Sequence, residues 1–326
     1  MSAGGAGMQR YPVIALSPLF IAFLLIAFAP LHVTAQVSGP VVHRETHRAA
    51  GSIEIDVDMV LVNVGVTDAQ GHVIANLQRK NFRLYEDNVE QEILSFSRED
   101  VPASIGLLFD TSVSMFDKMD WARKAVAKFL EKSNPDDEFF LINFDNRPEL
   151  QSPFTPNIAL LQERTAALKP RGRTSLLDAI YAGVQMMKQA RHERHILLVI
   201  SDGGDNHSRH HLAQVRNLLR ESDSQLYSLG IFDANDMKRT EEERNGPSLL
   251  AELGEMTGGR LYQAATLSDL VDLSGKIGVE LRSQYILGFK PNVHDGSWHR
   301  LKVALTAPSD APLLARARSG YFSPRD

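Results

Sequence analysis

The chain contains no cysteine. That excludes disulfides, a thiolate nucleophile, an iron–sulfur cluster and an acylated lipoprotein cysteine. Acid–base chemistry, hydroxyl nucleophiles and oxygen or imidazole metal ligands remain. Neither charge is in large excess: 35 basic against 40 acidic side chains give a formal net charge of -5 over 326 residues. A nucleic-acid binder would show a basic surplus, and none is present. No Gly-rich phosphate loop, dinucleotide fingerprint or Gly-x-Ser-x-Gly nucleophile elbow occurs. Hydrophobic residues at 43% and charged residues at 23% fit a globular protein, not a disordered, collagen-like or polytopic membrane chain. The length predicts about two domains.

Residues 11–33 carry no Asp, Glu, Lys or Arg, and Arg10 is the one charged side chain before them. The uninterrupted apolar stretch, residues 19–29, lies between Pro18 and Pro30. It is shorter than the roughly 20 residues a bilayer-spanning helix needs and fits a signal-peptide core. Val33 and Ala35 put small residues at a cleavage site ahead of Gln36. The expectation is a signal peptide over residues 1–35 and export to the periplasm or the extracellular space. The rival is an uncleaved anchor, so contact with a membrane would come only through this segment.

Residues 36–51 are polar and aperiodic and read as a linker. Over residues 52–100 β-branched residues recur at period two: Ile53, Ile55 and Val57, then Val60, Val62, Val64 and Val66. This marks strands with one buried face. From residue 102 the pattern turns to alternating strand and helix. Residues 105–109 and 196–200 are continuous apolar runs, as in strands buried on both faces. Helical spacing appears over residues 121–130, 158–168, 176–187, 212–219, 249–256 and 267–281. Together these predict a doubly wound, Rossmann-like α/β domain over residues 102–283 with a parallel-sheet core. The tail, residues 284–326, returns to strands and is expected to pair with residues 52–100 in one β-sandwich.

Ligands of such sheets sit at the carboxyl ends of the strands. Three loops there carry oxygen-bearing side chains: Asp110-Thr111-Ser112-Val113-Ser114, Gly172-Arg173-Thr174-Ser175 and Ser201-Asp202-Gly203-Gly204-Asp205. Acceptors at 110, 112 and 114 can turn towards one centre. Hydroxyls and carboxylates without cysteine or convergent histidine suit a hard cation such as Mg²⁺.

Asp110-x-Ser112-x-Ser114 with a separate Thr174 and a later Asp202 resembles the metal-ion-dependent adhesion site of von Willebrand factor type A domains, in the family's order and at the expected element ends. The resemblance covers about residues 102–283. The flanking motifs Phe82-x-Leu84-Tyr85-Glu86-Asp87, Thr257-Gly258-Gly259-Arg260 and Leu281-Arg282-Ser283-Gln284-Tyr285 with Gly320-Tyr321 are similar to secreted von Willebrand factor A-related proteins abundant in Acidobacteria. It implies that Ser112, Ser114 and Thr174 ligate a divalent cation directly, Mg²⁺ or else Mn²⁺ or Ca²⁺, while Asp110 and Asp202 act mostly through bound water. It also implies a protein partner that offers an Asp or Glu to the metal, and a last helix, residues 267–281, that shifts when the site engages.

Other readings stand beside this one. The site residues could be helix caps and turn formers. The same metal could serve a hydrolase, with Asp205 as the nearby base, or merely stiffen the loops of a structural envelope protein. A phosphatase using Asp110 lacks the second acid two residues on, where Ser112 stands. His207, His210 and His211 have spacing that could hold zinc but no third-ligand partner, Asn206-His207-Ser208 matches a glycosylation sequon, and Asp178 reads as a residue steadying its helix's first turn. Arg171 and Arg173 read as exposed loop charges. The expectation is a binding module rather than an enzyme, with no nucleic-acid partner.

Overall fold

A computed structural model describes residues 43–44, 58–98, 100–232, 240–306 and 312–325. The signal segment, the linker apart from residues 43–44, and Ile53, Ile55 and Val57 lie outside the described residues. Strands β1 (His43–Arg44), β2 (Asp58–Thr67), β3 (Phe82–Glu86), β4 (Val89–Gln91) and β5 (Ser95–Ser97) come first. The α/β part follows: β6 (Ala103–Asp110), α1 (Met119–Glu131), β7 (Glu138–Phe144), β8 (Pro148–Thr155), α2 (Ile158–Ala167), α3 (Leu176–Met187), β9 (Arg194–Ser201), α4 (Leu212–Glu221), β10 (Ser224–Ile231), α5 (Glu241–Thr257), β11 (Leu261–Ala264) and α6 (Asp269–Leu281). The tail forms β12 (Tyr285–Phe289), β13 (Trp298–Leu305), β14 (Leu314–Arg316) and β15 (Gly320–Phe322).

The α/β part is one six-stranded sheet in the order β11-β10-β9-β6-β7-β8. Every residue of β6, β7 and β10 is buried, and in β6 this shows as the unbroken apolar run of residues 105–109. Ile105, Leu107 and Phe109 face a core shared with α1 and α6, and Leu108 faces a second core shared with α3, α4 and α5. Two helical layers thus cover a sheet that cannot tolerate water on either side. The sheet is parallel except for β8, which runs antiparallel to β7 at the edge. No alternation betrays β8, and Pro148 and Pro153 are acceptable there because an edge strand has one side without ladder partners.

Helix α5 begins at Glu241, well before the apolar spacing that starts at Leu249, and contains Pro247. Thr240 caps it, accepting from Glu243 N at 3.3 Å while the Glu243 carboxylate accepts from Thr240 N at 2.9 Å. This capping box starts the helix ahead of the breaker-like Asn245-Gly246-Pro247.

The tail strands pair with the N-terminal strands. β12 lies antiparallel between β2 and β5, and β13 antiparallel to β3. Two sheets result, β1-β2-β12-β5 with β14 alongside β2, and β15-β13-β3-β4. Val60, Val62, Val64 and Val66 point into the core between them with Leu84, Tyr285, Leu287, Phe289 and Tyr321. Neither β segment supplies both inner faces, so each needs the other to bury its apolar side.

The order of the α/β sheet reverses between β6 and β9, which are hydrogen-bonded neighbours. The chain leaves β6 towards β7 on one side and β9 towards β10 on the other. The loops after these two strands therefore diverge and leave a crevice.

Candidate functional site

Asp110 ends β6 and is fully buried. Its Oδ1 accepts from Ser112 N at 2.8 Å, which turns the chain sharply after the strand. Ser112 then opens a short 3₁₀ turn, Val113–Lys118. The Ser112 and Ser114 hydroxyls stand 3.0 Å apart. From the neighbouring β9, the Ser201 hydroxyl donates to Asp110 Oδ2 at 2.5 Å and accepts from Gly203 N at 2.9 Å. Ser201 so couples the two loops of the crevice. Asp202 follows, buried, and Gly203 takes φ +82°, a backbone conformation that suits glycine.

The third loop is stitched between the other two by its backbone. Arg171 N donates to Thr111 O at 2.7 Å, and Val113 N to Gly172 O at 3.2 Å. Thr174 N donates to Asn206 Oδ1 at 3.0 Å, while Thr174 O accepts from Asn206 N and His207 N at 3.0 Å each. Asp110, Ser112, Ser114, Thr174 and Asp202 thus lie on three mutually bonded loops at one end of the sheet. Direct side-chain contact links Ser112 to Ser114; Thr174 is joined through the main chain.

Two carboxylates in this crevice repel each other. Burial, and then the charge of Asp202, hold the Asp110 carboxyl above its ordinary range. The Lys118 ammonium sits 2.9 Å from Asp202 Oδ2. Asp202 Oδ1 is buried without a hydrogen-bond partner.

The von Willebrand factor type A domain model matches residues 105–204, a segment that spans all three loops. This segment is similar to von Willebrand factor type A domains. Solved structures of similar fold include a von Willebrand factor type A protein from Catenulispora acidiphila, at 12% identity and TM-score 0.49 over 77% of this chain and 76% of that one. The von Willebrand factor domain of the type V pili tip protein Mfa5 from Porphyromonas gingivalis aligns at 13% identity and TM-score 0.44 over 56% of this chain and 97% of that one. The PilB minor pilin from Streptococcus sanguinis aligns at 14% identity and TM-score 0.47 over 57% of this chain and 63% of that one. No curated protein matches the chain. The matches do not reach the narrower bacterial group that the flanking motifs resemble.

Whether a cation fits this crevice is a question of its oxygens. A buried Asp202 oxygen lacks a partner, an ammonium stands against the same carboxylate, and the Ser112 and Ser114 hydroxyls converge beside Asp110. Hard oxygen donors with a positive charge already drawn to them are a set a hard divalent cation satisfies. Among the described residues no three His, Cys, Asp or Glu side chains converge on a possible metal position. A metal here would therefore depend on hydroxyls as much as on carboxylates.

The remaining titratable groups nearby are engaged elsewhere. Asp178 does not simply steady its own helix: its carboxylate accepts from Arg209 N and His210 N and pairs with His210 Nδ1 at 2.7 Å. His210 also stacks on Tyr181 with ring centroids 3.8 Å apart. Asp205 Oδ1 accepts from Ser208 Oγ at 2.5 Å and Leu177 N at 3.4 Å, closing the start of α3. Arg171 is an exposed loop charge as expected, and it pairs with Asp145 at 2.6 Å and Glu149 at 3.1 Å. Arg173 is exposed. Ser201 and Lys118 were not singled out from the sequence. Ser201 could have been, as the hydroxyl closing a buried strand beside Asp202. Lys118 carries no signal in the sequence, because its partner lies 84 residues away.

Proposed function

We propose that this type A domain is a divalent-cation-dependent protein-binding module of an exported protein. Ser112, Ser114 and Thr174 would hold the ion with Asp110 and Asp202 behind them, Mg²⁺ being the first candidate and Mn²⁺ or Ca²⁺ alternatives. When bound, the ion supplies an electrophilic position that a partner's Asp or Glu completes. The chain's own residues do the rest. Ser201 fixes the Asp110 carboxylate, the Asp110–Ser112 turn aims the hydroxyls, and the Thr174 backbone ties the third loop to Asn206. The observation that supports this most is the unpartnered, buried oxygen of Asp202 beside paired serine hydroxyls at the strand reversal. Export rests on the signal-like residues 1–35; among the described residues no helix is long and apolar enough to cross a membrane. A protein-interaction role accords with the family, and the Asp205 carboxylate that a hydrolase would need as base is bonded to Ser208 and the α3 backbone.

The test is thermal unfolding after chelation, titrated with Mg²⁺, Mn²⁺ and Ca²⁺, beside Asp110→Ala. A ligand at 100 times its Kd stabilises by about 2.7 kcal/mol. The expected result is a metal-dependent rise in the wild type that the variant lacks, with the partner retained in pull-downs only by the wild type. An unfolding midpoint that ignores all three ions would overturn the proposal.

A further inference from the structure

Lys118 closes the 3₁₀ turn that Ser112 opens and stands at the entrance to α1. One short segment therefore carries two serine hydroxyls of the site at one end and an ammonium at the other. That ammonium reaches across to the β9 loop and meets Asp202 Oδ2 at 2.9 Å, with the Asp202 side chain 4% exposed and the lysine side chain 22%. Among the described residues it is the one basic side chain paired with either crevice carboxylate. It offsets part of the repulsion between Asp110 and Asp202, which burial intensifies.

We propose that Lys118 is an internal cation that competes with the divalent ion for Asp202 and so sets the affinity of the site. This rests on the reading of the crevice as a divalent-cation site. The ammonium and the ion draw on the same carboxylate, and a positive charge a few ångströms from a dication is strongly unfavourable in a crevice sheltered from water. Lys118 must therefore leave Asp202 for the site to load. Its flexible four-carbon stem and partial exposure allow that, and a lysine ammonium recovers strong hydration once outside. With no ion present, Lys118 protects the fold from two uncompensated charges; with an ion present, its departure is subtracted from the binding free energy.

Two measurements on the full chain test this. Mn²⁺ binding by calorimetry is compared between wild type and Lys118→Met at one pH and ionic strength. Lys118 acylation by an amine-reactive ester is followed by mass spectrometry in chelator and in saturating Mn²⁺. The expectation is an affinity about tenfold or more tighter in the variant, and faster acylation of wild-type Lys118 once Mn²⁺ is present. Binding by the variant with none detectable in the wild type would be the same result at its limit. Affinities within twofold of each other, with acylation indifferent to Mn²⁺, would overturn the role of Lys118 while leaving the metal site intact. Absence of Mn²⁺ binding in both proteins would overturn the metal site and this role together. The acylation arm needs no substitution, so it stands even if Lys118→Met folds poorly.

Discussion

Gly246 offers a test in which two opposing effects have to be weighed. It lies inside α5, where alanine in place of glycine ordinarily stabilises by about 1 kcal/mol. Yet a Cβ at this position would sit 2.5 Å from the carbonyl carbon of Gly203 and 2.7 Å from its Cα, all of it backbone. Ordinary carbon contacts are about 3.5–4.0 Å, so α5 and the loop that follows Asp202 would have to part by about 1 Å. Overpacking of this kind costs about 1–3 kcal/mol, and the upper end applies where neither side is a flexible side chain. Alanine ahead of Pro247 adds its own clash with the proline ring. Gly246→Ala is therefore expected to lose about 1–2 kcal/mol net, or roughly 2–8 °C in thermal unfolding at 2–4 °C per kcal/mol. Gly275→Ala in α6 is the control: the nearest atom to its Cβ is Lys128 Cγ at 4.0 Å. That change should stabilise by about 0.4–1 kcal/mol. Circular dichroism melts of both variants beside wild type make the comparison. If Gly246→Ala is as stable as wild type, or both variants move the same way, the backbone contact between α5 and the site loop is not as described.

Three further outcomes are expected. Tyr285 OH accepts from Leu77 N and donates to Ile74 O, both at 2.9 Å, so Tyr285→Phe orphans two backbone groups and should cost about 1–3 kcal/mol in urea unfolding; a loss under a few tenths would show that water replaces the phenol. Burial opposes protonation of His299, but its bonds to Asp87 at 2.8 Å and Asp295 at 3.3 Å outweigh that and raise its pKa. Its contribution is then full below about 6.5 and declines as pH rises through the raised value. The stability lost in His299→Gln should accordingly shrink between pH 5.5 and 8.5, and a difference constant across that range would refute the ion-pair account. In chelator at neutral pH, Asp110→Asn should raise the melting midpoint, because the folded carboxyl has a pKa above its unfolded value and is costly to keep charged. Saturating Mg²⁺ should reverse the order, and a variant less stable than wild type in chelator would contradict the buried-charge argument.

What could be read from the sequence was whatever burial imposes on neighbours in the chain. β6 and β9 are submerged on both faces and so appear as apolar runs. β2 is submerged on one face of the sandwich and so alternates. The five candidate site residues could be singled out because they resemble a known motif, with Asp110 and Asp202 at strand ends and Thr174 ahead of a helix. Features decided by distant contacts were hidden. β8 is held by its register with β7, not by its own composition, and its prolines disguise it. α5 starts early because Thr240 and Glu243 cap it and because Gly203 accepts Gly246 at close range. Asp178 has the look of a first-turn helix acid, yet its carboxylate is taken by the backbone of residues 209 and 210. Lys118 looks like any lysine at a helix entrance until β9 is folded beside β6.

The α/β part enters and leaves the sandwich through adjacent strands, for Ser97 of β5 stands opposite Ile286 of β12. Antiparallel partners lie about 5 Å apart at Cα, so the two ends of the inserted domain lie side by side. Arg282 and Asp100 bridge those ends at 2.7 Å, and Arg194 reaches from the base of β9 to Leu281 O and Gln284. The domain also meets the sandwich where Arg318 pairs with Asp223 and Ser319 N donates to Met256 O. Neither end of the domain can be drawn away from the other without first unzipping β5 from β12. The arrangement is a shackle: the inserted domain starts and finishes on one closed ladder, so its first and last residues move only together.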